Sequence, residues 1–185
     1  MKSFWYICVG IVFILLVQAG VLAWFLQPVF CTCGEIKFWE GIVVSAGNSQ
    51  QFTDWYTFSH IVHGFLFYGL LTLLFPKISR GKRLLMALCI EAGWEILENT
   101  PWIIGEYRKQ TLASLYMGDS IINSVSDSVS MIVGFGLAAR LPVWVSVFLV
   151  AVAEVFVGYT IHDNLTLNIM NFVYPLDFVR EWQSR

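Results

Sequence analysis

His60 and His63 stand at i, i+3; Glu91, Glu95 and Glu98 at i, i+4, i+7; and Asp119, Asn123 and Asp127 at successive i+4 steps. On helices, each of these three sets shares one face. Two imidazoles with several carboxylates and amide oxygens form a ligand set for zinc, manganese or iron rather than for a thiolate-preferring metal. Without a metal, the same groups suit proton transfer, a carboxyl serving as acid and a histidine as base. The individual signals differ in strength. His-x-x-His is less specific than His-Glu-x-x-His, which is absent, and Glu95-x-x-Glu98 falls short of the Glu-x-x-His of di-iron bundles. Glycine-rich phosphate loops, nucleophile elbows and dinucleotide fingerprints are also absent, and Gly134-Phe-Gly136 reads as helix packing. Glu154, alone in an apolar run, needs only a hydrogen-bonding neighbour. Either histidine could have a structural role at a membrane interface, but a purely structural account of three glutamates with two aspartates is weaker.

The segments that carry these residues are those of a membrane protein. Of 185 residues, 57% are hydrophobic and 13% charged, against roughly 25% charged in a soluble domain. The length suits one domain, and a net charge of −2 leaves no basic footprint for nucleic acid. Residues 4–27 form an uncharged run long enough to cross the hydrocarbon; it is too long for a signal peptide and lacks a cleavage site, so it reads as an uncleaved anchor. Further spans are expected at 57–75, 84–104, 119–139 and 143–161, an all-α polytopic bundle of about five transmembrane helices in a single domain over 1–185. The long connection 28–56, punctuated by glycine and flanked by Trp39 and Trp55 as interfacial anchors, would suit a short interfacial helix. An amphipathic tail occupies 162–185.

Charge orients the bundle. Lys2, the Lys77–Arg83 cluster and Arg140 fall on one side of five spans, which makes the N-terminus cytoplasmic and loop 28–56 and the C-terminus periplasmic; Arg108 and Lys109 dissent. His60 and His63 then lie in the outer turns of the second span and Glu91 near mid-depth. Glu95, Glu98 and Asn99 approach the outer end of the third span, and Asp119, Asn123 and Asp127 fill the outer half of the fourth. His162, Asp163 and Asn164 follow the outer end of the fifth. Four segments thus deliver polar side chains to one leaflet. Ionisable groups within spans face the bundle interior or a wet cavity, and mark functional sites by default.

Cys8 and Cys89 sit in apolar runs, whereas Cys31 and Cys33 form a C-x-C in the long loop. That spacing is expected to be too tight for an easy disulfide, and no second pair completes a four-thiolate zinc site. Several stretches together carry a family likeness: Cys31-Thr-Cys33-Gly34, Asp54-Trp55-Tyr56-Thr57-Phe58-Ser59-His60, Trp94-Glu95-Ile96-Leu97-Glu98-Asn99, Gly118-Asp119-Ser120 and Asp163-Asn164-Leu165-Thr166-Leu167-Asn168. On these the chain resembles a family of bacterial, mainly proteobacterial, inner-membrane proteins of unknown function. The resemblance implies a membrane location and no particular activity.

The residues themselves point to a membrane-embedded enzyme whose site opens to the periplasmic leaflet and acts on a lipid or lipid-linked substrate by hydrolysis or head-group transfer. Glu95, Glu98, Asp119 and Asp127 are the candidate catalytic groups; His60, His63, Glu95 and Asp119 are the candidate ligands of a divalent metal (zinc, manganese or iron). Asn99, Asn123, Asp163 and Asn164 are candidate substrate contacts. Two alternatives stand beside this reading. One is a cation or proton carrier or channel, disfavoured by the apolar stretches 65–75 and 131–139; the other is an accessory or assembly subunit of a membrane complex. A homo-oligomer is compatible with each.

Overall fold

The computed structural model describes residues 2–174 and 176–184. In chain order its elements are α1 (Lys2–Trp24), β1 (Trp39–Glu40), β2 (Thr53–Asp54), α2 (Thr57–Leu74), α3 (Arg80–Glu98), α4 (Pro101–Tyr107), α5 (Ile121–Ala138), α6 (Val143–Ile161), α7 (Leu165–Val173) and α8 (Asp177–Gln183). β1 and β2 are a two-residue parallel pair, so the architecture is an all-α bundle. By length and composition α1, α2, α5 and α6 can each cross a membrane. Their outward faces carry Phe13, Leu16, Leu70, Val133, Phe148 and Val155, all exposed, as a lipid-facing surface requires.

The fifth long helix is α3, which holds Arg80, Lys82, Arg83 and the three glutamates and packs against α1, α2 and α5. Its apolar Ile90 and Leu97 face outward while Glu91 and Glu95 are buried, so the charges are turned inward. The helix starts earlier and stops earlier than the expected 84–104. Asn99 follows its last turn and donates through Nδ2 to the Glu95 carbonyl, 2.9 Å away. Thr100 and Pro101 then open a separate helix: the Thr100 side chain accepts from Ile103 N and proline occupies the first turn.

Packing at the centre rests on close approach of α2 and α5, the most extensive helix contact in the bundle. A Cβ on Gly64 would strike the Met131 carbonyl, and one on Gly134 would strike the Ile61 carbonyl. Two glycines therefore let backbone meet backbone, as small residues do between membrane helices. Below the crossing, Leu71, Ala87, Leu88, Met131 and Phe135 form a buried apolar cluster.

Loop 25–56 is tied to the start of α5 and contains no helix, contrary to the interfacial helix expected there. Its carbonyls accept the N–H groups of Ser120 (from Ser49), Ile121 (from Pro28) and Ile122 (from Val29), donors that a helix start leaves unsatisfied. Gln50 Nε2 donates to the Gly118 carbonyl at 2.6 Å. Cys31 and Cys33 are joined in a disulfide, which overturns the expectation from their spacing: the turn brings their Cα atoms to 5.2 Å, inside the reach of the bond. Trp39 and Trp55 pack edge to face, with Phe58 and Phe156 alongside.

The tail folds back on the bundle. His162 takes a left-handed conformation (φ 59°) at the end of α6. Glu154 accepts from Thr166 N at 3.0 Å and from its hydroxyl at 2.6 Å, which fastens the start of α7 against α6.

The crossing yields a test. Gly134→Ala should destabilise the fold by an overpacking cost of about 1–3 kcal/mol and so lower the midpoint of thermal unfolding in detergent, whereas Gly69→Ala, where a Cβ meets nothing within 4 Å, should leave it unchanged or raise it. Equal effects would remove the special role given to the α2–α5 contact.

Candidate functional site

Helices α2, α3 and α5 bring His60, His63, Glu91, Glu95 and Asp127 together. Four of these are nearly sealed from outside: Glu91 is 0% exposed, Glu95 1%, Asp127 4% and His60 8%. Both imidazoles converge on one carboxylate. His60 Nδ1 lies 2.6 Å from Glu91 Oε1, and His63 Nδ1 lies 3.0 Å from Glu91 Oε2. With both Nδ1 atoms protonated and donating, each Nε2 is left as a free lone pair, the arrangement in which an outer carboxylate orients metal-binding histidines.

Glu95 is held from the other side. Its Oε2 accepts from the Ser124 hydroxyl at 2.7 Å. Ser124 Oγ in turn accepts from Gln18 Nε2 at 2.7 Å, and Gln18 Oε1 accepts from Ser128 at 2.8 Å, so α1 supports the site through its one amide side chain in the apolar stretch. Glu95 Oε1 has no hydrogen-bond partner although it is buried. It stands 3.3 Å from His60 Nδ1, which lies closer, at 2.6 Å, to Glu91 Oε1. Asp127 Oδ1 accepts from the Thr57 hydroxyl at 3.1 Å, and its Oδ2 lies 3.8 Å from His60 Nε2. Two overlapping sets can hold an ion, His60–His63–Glu91 and His60–Glu95–Asp127, each with donor atoms within 4.8 Å of one another.

Asp119 is in neither set. It is fixed one layer away: Asn99 Nδ2 donates to Oδ2 at 2.6 Å, Asn99 Oδ1 accepts the Asp119 N–H at 2.7 Å, and the Tyr116 hydroxyl donates to Oδ1 at 3.0 Å. Burial raises its pKa to about 7, against the pull of the Asn99 and Tyr116 hydrogen bonds. Burial likewise pushes the phenols of Tyr56, Tyr107 and Tyr116 well above their ordinary range.

These groups line a cavity of about 1020 Å³. Its polar side carries His60, His63, Glu91, Glu95, Glu98, Asp119 and Asp127. The lining also includes the apolar Leu112, Leu165 and Phe172, the polar Asn48, Gln50 and Asn168, and Leu66, Ile90, Ile169 and Val173, which are exposed where lipid would be. Among the described residues, no lysine or arginine lines it.

The four residues expected to touch substrate lie outside the lining. Asn99 positions Asp119. Asn123 Nδ2 donates to the Gln51 carbonyl at 2.9 Å and anchors the loop. Asn164 caps α7 through Leu167 N at 2.8 Å and donates to the Glu154 carbonyl at 2.9 Å. Asp163 accepts from the Tyr56 hydroxyl at 3.1 Å and from Gln183 at 3.3 Å. Conversely, sequence reasoning left Glu91 and Gln18 out of the site. Glu91 was visible in the glutamate stripe but not as the shared partner of both histidines. Gln18 was visible as a lone amide in an apolar run, a position that demands a polar partner.

Comparison with known proteins gives the chain its family. The family described as "Protein of unknown function (DUF2585)" matches residues 22–185, and the chain belongs to it. A UPF0314 protein of Sinorhizobium fredii is 50% identical over 177 residues, 96% of this chain and 88% of its own length. One of Rhizobium etli is 47% identical over 184 residues (99% and 93%), and one of Sphingopyxis alaskensis is 44% identical over 183 (99% and 96%). No solved structure matches. The family of uncharacterised bacterial proteins inferred from the motifs is therefore the right one.

Asp163 supplies a stability test. Burial raises its folded-state pKa from 3.8 to about 6. The protonated form is the one the fold favours, so its contribution is full below 3.8 and is lost as pH rises through 6. The unfolding midpoint of the wild type, measured relative to Asp163→Asn, should fall across that window and level off above it. A difference that does not vary with pH would refute the assignment.

Proposed function

We propose that this DUF2585 family member is a membrane-embedded, metal-dependent enzyme of the bacterial inner membrane that hydrolyses, or transfers the head group of, a lipid or lipid-linked substrate. The observation that carries the reading is a buried histidine–carboxylate cluster in a cavity of about 1020 Å³ whose remaining lining is mostly apolar. Such a shape accepts a chain from the lipid side and a polar group at the cluster, the division expected of a lipid site. The cytoplasmic N-terminus read from the distribution of lysine and arginine turns this cavity toward the periplasmic leaflet.

Tetrahedral ligation at about 2.0–2.2 Å sets donor atoms more than 3 Å apart. The 2.6 Å His60–Glu91 contact is thus a hydrogen bond rather than shared ligation. His60 Nε2, Glu95 and Asp127 are then the holding set, and the unpartnered Glu95 Oε1 is the atom that an ion would satisfy. A divalent ion there would supply a polarised oxygen and an activated water. Glu91 accepts the Nδ1 protons of both histidines and fixes their orientation. His63 lines the cavity with its Nε2 free, and is the residue suited to take a proton from water or return one to a leaving group. The apolar layer of Leu71, Leu88, Met131 and Phe135 beneath the site weighs against a conduit through the membrane.

Elemental analysis of the purified protein tests the metal. About one zinc, manganese or iron per chain is expected, with loss in both His60→Ala and Glu95→Ala. Metal retained at the wild-type level in both variants would sink the site.

A further inference from the structure

The cavity has more carboxyl groups than one metal ion can use. Glu91, Glu95, Glu98, Asp119 and Asp127 all line it, and among the described residues no lysine or arginine does. Among the described residues, the ion pairs of Glu91, Glu95 and Asp127 are with His60 or His63, and neither Glu98 nor Asp119 pairs with a cationic side chain. The metal-capable sets use neither of these two acids.

The walls beside Glu98 and Asp119 are aromatic. Tyr107 and Tyr116 stand nearly perpendicular, with ring centroids 5.3 Å apart at 80°, and Phe172 lies 5.8 Å from Tyr107. Trp94 and Tyr56 line the same cavity. The Tyr116 hydroxyl donates to Asp119 itself, Tyr107 donates to Asn168 Oδ1 at 3.2 Å and also hydrogen-bonds Glu98, and Tyr56 donates to Asp163 Oδ2 at 3.1 Å. What remains for a ligand is ring surface next to carboxylate. A small divalent ion, which prefers oxygen and nitrogen donors, gains little from aromatic walls, whereas an ammonium group gains from both.

Resting on the lipid-enzyme reading, we propose that this aromatic, acidic end of the cavity binds the ammonium group of the substrate, so that the lipid acted on has a primary or quaternary amine in its head group. Spacing agrees. Glu98 is one turn along α3 from Glu95, about 4.5 Å of axial rise, a distance that the two-carbon link between a phosphodiester and its amine can span. The reacting phosphoester then lies over His60, Glu95 and Asp127 while the amine sits against Glu98, Asp119 and the tyrosine rings.

The test is made on the full chain in dodecyl maltoside after removal of metal with a chelator, so that the selectivity is read independently of the metal site and of turnover. Binding of a short-chain phosphocholine lipid, a short-chain phosphoethanolamine lipid, a short-chain phosphatidylglycerol and free tetramethylammonium is measured by calorimetric titration. Both amine-bearing lipids should bind about tenfold more tightly than phosphatidylglycerol. Glu98→Gln and Asp119→Asn should each erase most of that margin. Tyr116→Leu should weaken the phosphocholine lipid, while Tyr116→Phe, which keeps the ring, should not. The ranking in the wild type stands even if a variant fails to fold. Phosphatidylglycerol binding as tightly as the amines, or a margin unchanged in Glu98→Gln, would overturn the proposal. Tetramethylammonium binding as tightly as the lipids would also overturn it, because the ligand would then be a soluble amine. Absence of metal from the wild-type protein, by contrast, would refute the metal reading and leave this selectivity as expected.

Discussion

Carboxylates held among lipid-facing helices must find hydrogen-bond donors inside the protein, because the surrounding hydrocarbon has none. An acidic side chain at the centre of a span costs about 2.5–3.5 kcal/mol on insertion scales, and Glu91, Glu95 and Asp127 meet that requirement together. Their donors come from different elements: His60, His63 and Thr57 on α2 and Ser124 on α5, with Gln18 on α1 supporting Ser124. The network therefore couples four helices, and a shift of one would strand a charge on another. A fully supplied network holds its geometry tightly, and a gap in it is costly. The one gap here, at Glu95 Oε1, belongs to a residue that lines the cavity.

The rest of the bundle keeps this network at one end. Contact of α2 with α5 through Gly64 and Gly134 brings the His60 and Asp127 side chains to the same level. The apolar cluster around Phe135 and Met131 fills the space beneath. At the other end, loop 25–56 binds the first N–H groups of α5, and Gln50, Ser49 and Asn48 from that loop join the cavity wall. Return of the tail as α7 adds Leu165, Asn168, Ile169 and Phe172 as the facing wall. A polar cluster in a largely apolar cavity follows from this arrangement rather than from any single motif.

Much of this was legible in the residues. Four of the five expected spans correspond to helices apolar enough to cross a membrane, and the glutamate and aspartate stripes could be read from their 3.6-residue period, because burial of a helix face leaves a regular mark on sequence. Glu154 was rightly expected to serve a neighbour, which proved to be Thr166. Periodicity assigns a side chain to a face but not to a partner. It therefore could not show that both histidines turn to Glu91, that Asp119 is held by Asn99 and Tyr116 away from the histidines, or that Asn123 and Asn164 are spent on a loop and a helix cap. Those outcomes depend on helix rotation, and rotation is set by where two glycines let backbones touch.

The chain's own pattern was enough to specify an all-α membrane bundle with its acids and histidines gathered on inward faces, since each of those facts is local to one helix. The Cys31–Cys33 bond, the break at Asn99–Pro101 and the aromatic walls around Glu98 came from the fold, because each depends on loop paths and on contacts between residues far apart in sequence. Tyr107 reaches Asn168 across 61 positions, and Gln18 reaches Ser128 across 110. No local rule encodes a contact of that range; it forms when packed helices bring the two groups within hydrogen-bond distance.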